Sequence, residues 1–275
     1  MRVFLNLYKF ELRQNLKSVL IWSAVLAVVL VGFMTLFPNF SSPDFQALTE
    51  AKIKVIPPSL RSAFGLDSSF DFTNILFFYV YMFQYFVIGI VVFSIMTGAT
   101  ILSKEHEGKH IDYLATKPIK KGSLVFSKYL ATLSLTVSLS LFVSVFGFII
   151  IEIFNKTGNL YFLEQVHLFL KMTSIYIFFG SVAFFVSAVT RRTINSSMLV
   201  IGIFFVSYLF GVMSKMLDAV ANLKYLSPSF MFETVNATNP FSQTDYFYIA
   251  GLLIACLLMI FLAVARYSKK DLSLQ

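Results

Sequence analysis

Six runs of apolar residues, each long enough to cross a bilayer, alternate along the chain with stretches that gather most of the charge. An α-helix rises about 1.5 Å per residue, so roughly 20 apolar residues cross the hydrocarbon core. The pattern predicts spans over Ser18–Phe37, Ile75–Leu102, Leu124–Phe154, His167–Val189, Ser196–Met216 and Tyr246–Arg266. The second and third runs exceed the length a perpendicular crossing needs, which implies tilt or helical extension into the cytosol. The expected fold is therefore an all-α integral membrane protein, one transmembrane unit over residues 1–275 with six spans.

The segments between the runs carry their own patterns. Over residues 1–17, Arg2, Asn6, Lys9, Arg13 and Lys17 form one stripe, with Val3, Phe4, Leu7, Tyr8, Leu12 and Leu16 over much of the remainder. A cationic stripe beside an apolar face predicts a helix lying at the headgroups. A plain basic flank that sets orientation explains the stripe equally well, and Glu11 and Asn15 interrupt the apolar arc. Pro38–Asn74 holds four of the seven prolines, and Leu217–Asp245 includes Tyr225-Leu226-Ser227-Pro228-Ser229-Phe230. Both are too apolar for simple linkers, so short helices at the outer membrane surface are expected. Seventeen residues precede the first run and no small-x-small site follows it, which argues against a removable signal peptide.

Composition supports the membrane reading. The chain is 57% hydrophobic and 13% charged, against roughly 25% charged in a soluble domain. A formal net charge of +8 raises the question of nucleic acid, but the basic residues are spread between apolar runs and form no single patch. Their distribution instead sets orientation. Fifteen Lys and Arg fall on the side of the N-terminus, the second and fourth connections and the tail, against seven on the other side. The positive-inside rule then predicts that both termini are cytoplasmic. The lone Cys256 lies in the last run, so no disulfide framework or cysteine-based metal site is expected.

Chemistry-bearing motifs are few. His106-Glu107-Gly108-Lys109-His110 has the H-E-x-x-H spacing that puts two imidazoles on one helix face for zinc. A catalytic zinc needs a third ligand, and the remaining histidine, His167, is predicted on the opposite side of the membrane. A charged cytosolic helix is the stronger reading. The middles of all six runs lack Asp, Glu, Lys, Arg and His. Glu152 and Lys171 sit near outer ends, where reaching water is expected more than pairing with each other. Ion-coupled transport normally places a charged residue at the midplane, and no G-x-x-x-x-G-K-[ST] loop is present to bind ATP. Uphill transport by such a chain would need energy from a partner.

The connection after the second run is where a partner can attach. Over residues 103–121, Glu105, His106 and Glu107 come first, Gly108 follows, Ile111 and Leu114 give an apolar edge, and Lys117-Pro118 ends the helix. This segment, with Ile119-Lys120-Lys121, resembles the coupling helix of permease subunits of type-2 ABC exporters. Pro58-Ser59-Leu60-Arg61-Ser62-Ala63-Phe64-Gly65 and Tyr225-Leu226-Ser227-Pro228 resemble the same family. One departure is that Lys109 and His110 stand where a threonine often follows the family's glycine.

The resemblance implies an exporter core in the bacterial inner membrane. Two permeases, identical or homologous, would pair with two cytosolic ATPase subunits that bind the ATP and Mg, and this chain would hold no cofactor. Residues 1–17 would be the membrane-surface connecting helix, 103–121 the coupling segment, and 217–245 a re-entrant segment at the outer mouth. Cargo, suited to apolar or amphipathic peptides, lipids or drugs, would pass near spans two and five, where Phe77, Phe78, Tyr81, Tyr85, Phe204 and Phe205 stand. Two other readings compete: a membrane zinc metalloprotease using His106, Glu107 and His110, and a non-transporting immunity or scaffold protein.

Overall fold

A computed structural model describes residues 2–53, 55–64, 73–107, 121–156, 158–190, 193–228 and 238–268. In chain order these form α1 (Arg2–Met34), three short helices, α2 (Phe37–Phe40), α3 (Pro43–Ile53) and α4 (Pro58–Phe64), then α5 (Ile75–Glu107), α6 (Lys121–Phe154), α7 (Phe162–Val189), α8 (Thr193–Met216), a 3-10 turn over Asp218–Leu226, and α9 (Gln243–Ser268). No strand occurs among the described residues. Six of the helices are long and apolar enough to cross a membrane. The short helices fill the segment after the first span, and prolines begin α3 and α4, where their missing N–H removes no intrahelical bond.

The bundle is built on α5 and α7. Each packs on the other and on both α6 and α8, while α1 packs on α6 and α9 packs mainly on α7 and also on α6. The apolar stretches of α5 and α7 are 72% and 67% buried, and those of the other spans no more than 33%. Where α5 and α7 cross, a methyl added at Gly98 would fall on the carbonyl oxygen of Gly180 and stand 3.2 Å from the backbone nitrogen of Phe184. Small residues let backbones approach this closely, and in lipid that packing does what the hydrophobic effect does in water. Hydroxyls tie further pairs: Ser140 and Thr173 are hydrogen-bonded at 2.7 Å between α6 and α7, and Tyr129 and Ser181 at 2.8 Å.

The first helix differs from expectation. Residues 2–17 are not a separate helix; they continue into the first span as one helix about 50 Å long. The reason is a single packing stripe. Val19, Ser23, Leu26, Leu30 and Met34 are buried at three- and four-residue spacing, and Glu11, two turns before Val19, continues the same face with half-buried Asn15 between them. Near its start, Phe4 stacks on Phe126 of α6 at 6.0 Å, and Tyr8 is hydrogen-bonded to Ser134 at 2.8 Å. Asn6, Lys9, Arg13 and Lys17 remain exposed on the other face.

Helix ends also shift. α7 begins at Phe162, five residues before the expected start, with Glu164 in its positive first turn. α9 begins at Gln243 because Ser242 and Asp245 form a capping box. The Ser242 N–H donates to Asp245 Oδ2 at 2.9 Å, and the Asp245 N–H donates to Ser242 Oγ at 3.2 Å. α5 continues through Glu107, so the start of the 103–121 segment extends span two as a helix.

Candidate functional site

α5 is buried on nearly every side except one. Phe77, Tyr81, Ile88 and Val92 are half-buried, and Tyr85 and Met96 are exposed, which at helical spacing makes one open stripe. α8 borders it, resting Ser196, Val200, Phe204, Ser207 and Gly211 against the bundle and turning Ile203, Phe205 and Val206 outward. Tyr81 and Tyr85 meet edge to face at 6.3 Å, and the Tyr208 phenol of α8 lies near that of Tyr85. The stripe and its border thus present aromatic faces with phenol hydroxyls among them, a surface that accepts apolar groups and can hydrogen-bond a polar tip.

Two of the six aromatic residues expected on this surface are elsewhere. Phe78 is fully buried, 5.4 Å from each of the rings of Phe37 and Phe40. Phe204 is also fully buried, edge-on to Phe179 at 5.1 Å, and carries Phe205 beside it at 5.4 Å. Helix rotation decides this: Phe77 and Phe78 are adjacent in sequence but about 100° apart around the axis. Phe77, Tyr81, Tyr85 and Phe205 keep access to the open side.

At the start of α6, Lys128 forms an ion pair with Glu11 of α1, and its ammonium also donates to the Ile101 carbonyl of α5 at 2.8 Å. The two side chains are 3% and 6% exposed, so the charges are sealed from water. The Glu11 carboxylate that interrupts the apolar arc in sequence is the acceptor for a lysine near the start of the third span. Sequence reasoning missed the pair, although each half left a trace: an acid within an apolar arc, and a lysine within Leu124–Tyr129.

A second polar cluster joins the N-terminal ends of α7 and α9. Lys171 does not reach water and does not pair with Glu152. It is 2% exposed, sits 3.1 Å from Asp245 Oδ2, donates to the Asn239 carbonyl at 3.1 Å, and lies 5.2 Å above the Phe241 ring. His167, one turn earlier on α7, packs edge-on to the same ring at 5.4 Å, and its Nδ1 is 3.2 Å from the Thr238 carbonyl. One buried carboxylate oxygen of Glu152 has no hydrogen-bond partner among the described residues.

The expected coupling residues lie at or beyond the end of α5. Glu105, His106 and Glu107 are helical in backbone, with side chains outside the described residues, as are Gly108, Ile111, Leu114, Lys117 and Pro118 entirely. His110 of the zinc-like motif is outside them too. Among the described residues, no three potential metal ligands gather.

A family model described as ABC-2 family transporter protein matches residues 5–272, nearly the whole chain. No curated protein matches significantly. Such permeases work with a separate ABC ATPase and catalyse nothing themselves, in keeping with a helical bundle of six apolar spans whose sequence holds no ATP-binding loop. The chain therefore belongs to the ABC-2 transporter family, as a multi-pass, non-catalytic permease subunit of an ABC transporter.

Proposed function

We propose that this permease belongs to an ATP-driven exporter, in which two permeases and two cytosolic ATPase subunits carry an apolar or amphipathic cargo such as a peptide, lipid or drug. Cargo runs along the open stripe of α5, between the two permeases. The observation that carries this reading is the open row of half-buried Phe77 and Tyr81 and exposed Tyr85 on a helix otherwise the most enclosed of the six, bordered by Phe205 of α8. A stripe that opens sideways from one bundle encloses a path only when a second permease, identical or homologous, faces it. Membrane lipid covers the remaining apolar surfaces.

An even number of spans keeps both termini on one side, and the fifteen-to-seven excess of basic residues supports the cytoplasmic side of a bacterial membrane for them. The segment 103–121 then faces the ATPases, which hold ATP and Mg. Glu105, His106, Glu107, Gly108, Ile111, Leu114, Lys117 and Pro118 form the contact, with charged residues leading and an apolar edge behind.

Co-purification of the full chain with its ATPase tests the assignment. Reversing Glu105 and Glu107 to Lys is expected to abolish pairing and ATP-dependent export while the chain remains in the membrane. Pairing and export that survive both reversals overturn the coupling assignment. For the path, Tyr85→Cys in a Cys256→Ser background is expected to cross-link between permeases, and its failure to do so in an active complex excludes that face.

A further inference from the structure

The 103–121 segment hangs from two arms, the end of α5 and the start of α6. Lys128 stands two turns into the second arm. Its ammonium holds the Ile101 carbonyl, two turns before the end of the first arm, and the Glu11 carboxylate of α1. One buried cation therefore ties both arms to each other and to a third helix. α1 is held to α6 again by Phe4 on Phe126 and by the Tyr8–Ser134 hydrogen bond. Its direct packing on α5 is slight by comparison.

Apolar side chains of similar size would join these helices without the desolvation that two buried charges carry. An ion pair differs from such packing in direction. It fixes the distance and angle between three backbones, whereas apolar faces can slide. Resting on the reading that an ATPase acts at 103–121, we infer that Glu11 and Lys128 are positioning residues that make α1 move with the two arms. A push on the segment then displaces α1, α5 and α6 as one body and shifts α1 relative to α9 at the far end. Without the pair, only the packing of α1 on α6 carries the movement, and less of it reaches the far end.

Two measurements separate this inference from the reading beneath it. The first needs no ATPase. In the purified full chain in nanodiscs, amide hydrogen exchange at residues 99–107 is expected to rise about tenfold in Lys128→Met, because the tether to Ile101 is gone. Unchanged protection there overturns the clamp, whatever the ATPase does. The second uses the complex with its ATPase. Spin labels are placed at Leu36→Cys, just past α1, and at Phe247→Cys on α9, both exposed positions, in a Cys256→Ser background. ATP with vanadate is expected to change the distance between the labels. In Lys128→Met the change falls at least about fivefold while the ATPase stays bound.

Where Lys128→Met loses folded protein, the double variant Glu11→Leu/Lys128→Leu decides. It keeps an apolar contact and removes both charges. The same loss of movement with intact ATPase binding supports the inference, and wild-type movement in this double variant overturns it. Glu11→Gln retains an acceptor for Lys128 and is expected to fall between the extremes. If nucleotide moves no label even in the wild-type complex, the coupling reading fails and takes the clamp's role with it.

Discussion

Lys171 and Asp245 form an ion pair of unequal burial, and the inequality predicts which half is harder to lose. Lys171 is 2% exposed and Asp245 18%. At 3.1 Å and an effective dielectric of about 20, the attraction between the charges is about 5 kcal/mol. Asp245→Asn keeps an acceptor for the capping box and for Lys171 but removes the charge. A neutral acceptor recovers roughly 1–2 kcal/mol of that attraction, which leaves a buried ammonium undercompensated by about 3 kcal/mol. Lys171→Met removes the deeper charge together with the need to compensate it. Asp245 keeps its bonds with Ser242 and some access to water, so the cost is about 1–2 kcal/mol.

Thermal unfolding of the purified chain in one detergent, followed by loss of monodisperse protein, reads the order. Asp245→Asn is expected to lower the midpoint more than Lys171→Met, and Lys171→Met/Asp245→Asn is expected to recover most of the larger loss. The reasoning is refuted if Lys171→Met falls as far as Asp245→Asn, or if the double variant is worse than either.

Further outcomes follow from the packing. Gly98→Leu places a side chain on the Gly180 backbone and is expected to abolish folded protein by size-exclusion analysis. Gly202→Ala, with nothing within 4 Å, is expected to be neutral or to stabilise by up to about 1 kcal/mol through helix propensity. Phe78→Ala opens a cavity among Phe37 and Phe40 and is expected to cost about 3–5 kcal/mol in an unfolding titration. Tyr85→Ala is expected to leave stability unchanged and to alter export of amphipathic cargo. Cys256 is 4% exposed and is expected to react with maleimide only after denaturation, which makes it a probe of unfolding.

Much of the fold was legible in the sequence. The number and approximate place of the spans follow from run length against bilayer thickness, a comparison each segment settles locally. The start of α9 was misplaced by three residues, although Ser242 and Asp245 form an S-x-x-D capping box, a local signature. The extent of α1 was not legible. The stripe of Arg2 to Lys17 reads as amphipathic by itself, and only the α6 surface beside it shows that Glu11, Tyr8 and Phe4 are packing contacts.

The sequence alone determined that this chain spans a membrane six times, because apolar length and charge placement are properties of one segment and its solvent. Tertiary structure alone decided which residues of each span face protein and which face lipid. Lipid and protein interior are both apolar, so a span carries little pattern to mark its buried side. Phe77 and Phe78 are indistinguishable as letters, and one is half-open while the other is sealed. The same holds for charge. Lys128 and Lys171 count equally in any tally of basic residues, yet each is buried against a carboxylate more than 70 positions away, a choice only the arrangement of the helices could make.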